Sequence, residues 1–166
     1  RQMCIRDSYW TRDIQVEAIR VMRRNHPEWP GTAIERRLHM MEAVIDEMVI
    51  VPEGQYSFTG ADEGDFHVHA AAVHGRANYL LTSNAPADFT ADPDAENYEI
   101  INADDFFNLV ADSNNAAFVS ATVGQFEYYS RQGVYTHPIH VALSNAGCPT
   151  FGERVKGFLA EFAQRH

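Results

Sequence analysis

Residues 62–89 read DEGDFHVHAAAVHGRANYLLTSNAPADF, and the division of this stretch into elements decides the fold. Its first half, Asp62 to Gly75, packs three acids and three histidines around a run of alanines. Alanine is the best helix former and aspartate a preferred N-cap, so the pattern predicts a helix from Asp62 to about His74, with Gly75 at the C′ position. NYLLT, Asn78 to Thr82, is short, apolar and bounded by turn residues, and it predicts a strand. The Pro, Asn and Asp content of residues 83–97 predicts a loop. YEII, Tyr98 to Ile101, then predicts a second strand, followed by a helix in NADDFFNLVAD with Asn102 as its cap. Strands alternating with helices imply βα units and a parallel sheet, hence the α/β class.

Upstream, Thr11 is a suitable N-cap, and Ile14, Ala18, Ile19 and Met22 recur at helical spacing, predicting a helix over 12–25. HPEWPG ends it, because Pro27 and Pro30 disfavour helix in the residue before them. Thr32 caps a second predicted helix, Ala33 to about Met48, with Ile34, Leu38, Met41 and Ile45 along one face. MVIV reads as a short buried strand ending at Pro52, and PEGQYSFTGA as a loop. Beyond Asp112 the pattern is helical only, over about 115–131, 136–146 and 150–164, broken by Gly133 and by GCP. The plan is an α/β domain over 9–112 and a helical extension over 113–166 that packs on the domain or mediates partner contacts. The opening RQMCIRDS has no periodicity and resembles a translated sequencing-adapter scar, so it is set aside from the fold.

The chain's net charge is −10, from 23 acids against 13 basic residues. That balance argues against a broad basic footprint for nucleic acid. It is compatible with a cation-requiring site, a basic protein partner or a solvated acidic surface. No apolar run approaches the ~20 residues that span a bilayer, and no signal peptide is visible, which implies a cytosolic protein with no membrane contact. Cys4 and Cys148 are too few for a disulfide framework and lack zinc-ligand spacing.

The polar residues of the quoted stretch admit three readings: histidines holding a transition metal, acids holding a hard ion, or a capped and solvated helix. On a helix, residues two apart point about 200° apart, so His67 and His69 cannot grip one ion. His74 returns to the face of His67 roughly 10 Å along the axis, too far to share a ligand. The acids converge better. Asp62 and Asp65 lie about 60° apart at a helix start, where the dipole or a cation offsets their repulsion. In a parallel sheet, the loop after a strand faces the same crevice as neighbouring helix N-termini. Asp65, Asn84 and Asp88 can therefore meet as oxygen ligands of the kind Mg²⁺ or Mn²⁺ prefers. For Asp62 simple capping is the competing reading.

These residues resemble the signature of PIN-domain nucleases: Asp-x-x-Asp-x-His-Val, a small-residue helix, and a strand ending Thr-x-Asn with Asp-Phe beyond. YWTRDIQVEAIRVM is similar to the family's Ser/Thr-x-x-Ile-x-x-Glu helix and implicates Glu17, for which a solvent-facing helix glutamate is the alternative. RRLHMMEAV and YEIINADDFFNLVAD follow in the family's order, so the likeness covers Tyr9 to Asp112. It implies a PIN-like three-layer α/β/α fold. It also implies Mg²⁺ or Mn²⁺ held by Asp65, Glu17, Asp88 and Asn84, with Asp62 assisting, and activation of water to cut RNA. The family's opening strand, ending in a metal-binding aspartate, has no counterpart here. Asp7 is a poor substitute, so cleavage by this chain is expected to be impaired. The implied partners are an RNA substrate, the antitoxin of a bacterial toxin–antitoxin pair, and a second copy of the chain. A non-catalytic module on the same fold and a histidine-based zinc hydrolase are the other classes compatible with the residues.

Overall fold

A computed structural model describes residues 7–54, 56–132 and 137–165. It is a mixed α/β protein, rich in helix, with short parallel strands. By their contacts the described residues form two compact units, one of residues 7–80 and 84–100, the other of 81–83 and 101–165. Gly133, expected to break the helices, and residues 1–6 lie outside the described residues.

The first unit begins with β1 (Tyr9–Trp10) and α1 (Arg12–Asn25). The Thr11 hydroxyl accepts from Ile14 N–H at 3.2 Å and starts the helix where its sequence places it. Asp13 in the first turn and Arg23 and Arg24 in the last complement its dipole. Buried Gln15 accepts from Arg12 and donates to Glu42 of α2 (Gly31–Glu42). Pro30 precedes α2 with no side-chain cap, so Thr32 lies inside the helix instead of heading it. α2 stops at Glu42, short of Met48, because β2 (Glu47–Met48) is drawn into pairing with β1. The pair is parallel, with Tyr9 opposite Glu47 and Trp10 opposite Met48.

Ser8 fastens this pair. Its hydroxyl and N–H donate to Asp46 Oδ2 at 2.7 and 2.8 Å, which holds the Asp46 carboxyl below its ordinary 3.8. Ser8, expected to lie outside the fold, is therefore part of it. The expected buried MVIV strand is instead this two-residue exposed strand, and Ile50 beyond it is 86% exposed.

The quoted stretch forms two elements where one helix is predicted. Asp62 Oδ1 accepts from Gly64 N–H at 2.8 Å and heads a 3-10 turn, Glu63–Asp65, before α3 (Phe66–His74). Local capping thus accounts for Asp62. α3 closes with Arg76 N–H on Val73 O at 3.2 Å and Ala77 N–H on Ala72 O at 2.9 Å, a Schellman turn. The left-handed C′ residue is Arg76, φ 50°, whereas Gly75, expected there, is a helical C-cap at φ −71°.

β3 (Tyr79–Leu81) pairs with β4 (Glu99–Ile101). Glu99 N–H bonds Asn78 O at 2.9 Å and Thr82 N–H bonds Ile101 O at 3.0 Å. Both partners advance in the same direction, as parallel strands require. Among the described residues the strands thus form two separate pairs in place of one parallel sheet. Residues 83–97 are not wholly loop, for α4 (Pro86–Phe89) and a 3-10 turn at Pro93–Ala95 lie within them.

The second unit contains α5 (Ala103–Ser113), α6 (Asn115–Gln132), α7 (Ile139–Asn145) and α8 (Pro149–Arg165). Asn102 caps α5, accepting from Asp105 N–H at 2.9 Å and donating to Asp105 Oδ2 at 2.7 Å. Ala111, Phe118 and Val155 form the buried core, with Leu143, Phe151 and Phe158 packed on it. The Phe118 ring meets Phe151 and Phe158 edge-on, with centroids 5.9 and 5.4 Å apart.

α8 is capped from a distant helix. Pro149 has no N–H to satisfy, and the next two, on Thr150 and Phe151, both donate to the Asp104 carboxylate at 3.0 and 2.7 Å. Burial alone pushes the Asp104 carboxyl up, but the Phe151 and Thr150 bonds outweigh it and hold the group below 3.8. The ionised form is therefore favoured by folding, and its contribution is full above pH 3.8 and lost as pH falls through the lower folded value. Thermal melts of wild type and Asp104→Asn should show the variant melting lower at neutral pH. The gap should close as the pH drops below 3.8. A gap that stays constant into acid would show that the carboxylate charge is not what α8 uses.

Candidate metal and acid site

The site is built where the loop before α3 runs beside α4. Ala61 N–H bonds Ala87 O at 2.9 Å and Asp62 N–H bonds Asp88 O at 3.3 Å. Ala91 N–H donates to the Thr59 hydroxyl at 3.0 Å, and the Thr59 and buried Thr90 hydroxyls lie 3.3 Å apart. Gly60 permits this approach, since a Cβ there would lie 2.2 Å from Asp88 O and 2.7 Å from the Phe89 carbonyl carbon. Aromatic packing steadies the start of α3. Phe58 meets Phe66 and His69 edge-on at 5.7 and 5.5 Å, and His69 Nδ1 lies 2.8 Å from the Tyr98 hydroxyl. Burial, and then the charge of Glu96, pushes the Tyr98 phenol up to about 12.

Asp65 sits at the centre of this construction and is only 8% exposed. It precedes α3 but makes no capping hydrogen bond, so capping does not explain it. Its Oδ2 accepts from Asn84 Nδ2 at 2.8 Å. Among the described residues no Lys, Arg or His forms an ion pair with it. A carboxylate withdrawn from water with one neutral donor and no counter-charge is costly unless a cation compensates it.

The other expected ligands each hold a different partner. Asp88 Oδ2 accepts from Ala85 N–H at 3.0 Å and stabilises the start of α4. Asp62 serves Gly64 N–H, as above. Glu17, on α1, places Oε2 3.6 Å from His67 Nε2. His67 Nδ1 lies 2.9 Å from Gly64 O. A carbonyl only accepts, so Nδ1 carries the proton of that bond. Among the described residues His67 Nε2 is buried and without a hydrogen-bond partner. The fold thus joins Asp65 to Asn84 directly and Asp62 to Asp88 through the backbone. Glu17 reaches His67, on the first turn after Asp65. Among the described residues no three of His, Cys, Asp and Glu converge as a metal-holding group.

Of the histidines, His69 is buried scaffold at 2% exposure and His74 is exposed. His67 differs from both in facing Glu17, which its helical position alone does not reveal. Tyr98 and Gly60 likewise carry no local signal, since their partners His69 and Asp88 lie far along the chain. Among the described residues no helix is long and apolar enough to cross a membrane. Comparison with protein-family models, curated proteins and solved structures gives no match to this chain.

Proposed function

We propose that the chain is a Mg²⁺- or Mn²⁺-dependent endoribonuclease of the PIN class, with Asp65 as its central metal ligand. The supporting observation is the Asp65–Asn84 pair: a nearly buried carboxylate with no counter-charge among the described residues, held at 2.8 Å by the side chain of a strand-end loop. The donors there are oxygens, which suit a hard ion, and Mg²⁺ takes one or two protein carboxylates while keeping several waters. A bound ion would lower the pKa of a water and offset charge developing on the phosphate of RNA. Asn84 orients the Asp65 carboxylate for that role. Glu17, Asp62 and Asp88 join the ligand set only by leaving His67, Gly64 N–H and Ala85 N–H.

On the same reading residues 9–112 are a PIN-like α/β/α domain in the cytosol. RNA is the substrate, and an antitoxin protein or a second copy is the partner. A non-catalytic module on this fold is the second reading, favoured by the dispersal of the acids among the described residues.

Melts with and without Mg²⁺, beside an assay on single-stranded RNA, separate the two. The nuclease reading expects a higher midpoint with Mg²⁺, by about 2.7 kcal/mol in stability at a hundred times the dissociation constant, and weak RNA cleavage that EDTA stops. No shift and no cleavage with either Mg²⁺ or Mn²⁺ would reject it in favour of the module.

A further inference from the structure

Ala72, Val73, Arg76, Ala77, Asn78 and Asn97 line a cleft of about 380 Å³ at the carboxyl end of α3. The Schellman turn places four of these residues. Glycine normally takes the left-handed position of such a turn, as at the end of α7. There Gly147, φ 86°, donates to Ser144 O at 3.1 Å, and Cys148 N–H donates to Leu143 O at 2.9 Å. α3 places Arg76 in the equivalent position, the one non-glycine residue with positive φ among those described, although Gly75 stands immediately before it. The Cβ of an L-residue disfavours that conformation, so the strain asks what the side chain gains there.

The cleft supplies an answer. Its apolar floor is the buried Ala72 with half-buried Val73 and Ala77, and its rim is the exposed Arg76, Asn78 and Asn97. Among the described residues the side chains of Arg76, Asn78 and Asn97 form no hydrogen bond or ion pair within the protein. Among the described residues no acid lines the cleft, in a chain of net charge −10.

We propose that this cleft binds a purine base of single-stranded RNA. A purine presents a flat apolar face to the floor and a polar edge to the rim. Guanine O6 and N7 match the fork of an arginine, and adenine N6 and N7 match an asparagine amide. Single-stranded RNA is usually recognised through splayed-out bases that stack on aromatic or arginine planes and are hydrogen-bonded at their edges. A lone phosphate fits worse, for it would meet one cation, an apolar floor and the carbonyl end of a helix. The inference rests on the ribonuclease reading for the source of the base.

The test is an amide NMR titration in EDTA, so that neither metal nor cleavage enters. The probes are GMP, AMP, CMP, UMP, inorganic phosphate, and short purine and pyrimidine oligoribonucleotides. Purine nucleotides and the purine oligomer should shift the amides of Ala72, Val73 and Ala77, binding about tenfold or more tightly than their pyrimidine counterparts. Arg76→Gly should melt higher than wild type yet bind purines about tenfold more weakly, and Asn97→Ala should weaken binding without raising the midpoint. Phosphate shifting the same amides as strongly as GMP, undiminished purine binding by Arg76→Gly, or no shift at all would overturn the proposal. Binding of monophosphates but not of the purine oligomer would overturn its assignment to RNA. Absence of RNA cleavage in the separate Mg²⁺ assay bears on the nuclease reading and leaves the purine cleft standing.

Discussion

Gly60→Ala should destabilise the protein by about 3 kcal/mol, at the upper end of overpacking costs. At this chain length that lowers the melting midpoint by roughly 6–12 °C. The cost is steric, because Gly60 does not have a positive φ that alanine would resist. The added methyl would meet Asp88 O at 2.2 Å, Phe58 Cζ at 2.5 Å and the Phe89 carbonyl carbon at 2.7 Å. Two of these are backbone atoms of α4, so no rotamer change relieves the contact. The loop must lift instead, giving up the Ala61–Ala87 and Asp62–Asp88 hydrogen bonds. Those bonds also hold the Asp65 segment beside the loop that carries Asn84, so any Mg²⁺-induced rise in midpoint should weaken in the same variant. Circular-dichroism melts of the two proteins decide it: equal midpoints would mean that the approach of the two loops is looser than 2.2 Å implies.

Asp65→Asn should abolish function with little change in fold. If Asp65 is the central ligand, the substitution removes a charge and a ligand together. Changing a residue that merely supports a ligand costs 10–100-fold in metal affinity or activity, so RNA cleavage should fall about 100-fold or more. The Mg²⁺-induced rise in midpoint should disappear with it. Stability without metal should stay within about 1 kcal/mol of wild type. Asp65 does not cap α3, and an asparagine oxygen can still accept from the Asn84 amide. Asp62→Ala is the natural control. It loses the Gly64 cap, at about 1 kcal/mol, and should leave cleavage intact. Asp65→Asn cutting RNA at the parental rate would remove Asp65 from the centre of the site.

The sequence by itself determined the longer helices and three of the caps that act over two or three residues. Thr11 on Ile14, Asp62 on Gly64 and Asn102 on Asp105 follow from short-range geometry that any chain with those residues can adopt. The helical tail was legible from its periodicity, whereas its core of Ala111, Phe118 and Val155 emerges only in the structure. Tertiary structure decided the rest. α2 ends at Glu42 because Ser8 and β1 capture residues 46–48, which helical periodicity alone would have continued. The left-handed turn falls on Arg76 and not on the adjacent glycine that local preference would select. Asp104 reads locally as a first-turn acid of α5, yet its carboxylate caps α8. The candidate site divides along the same line. Residue types and spacing point to Asp65, Asn84 and Asp88, and the family resemblance to Glu17, but neither tells which of them touch. The Glu17–His67 approach depends on α1 lying beside the start of α3, and the Asp65–Asn84 bond on Gly60 admitting one loop against another. Backbone packing of that kind leaves no periodic trace in a sequence, because its only mark is a missing side chain.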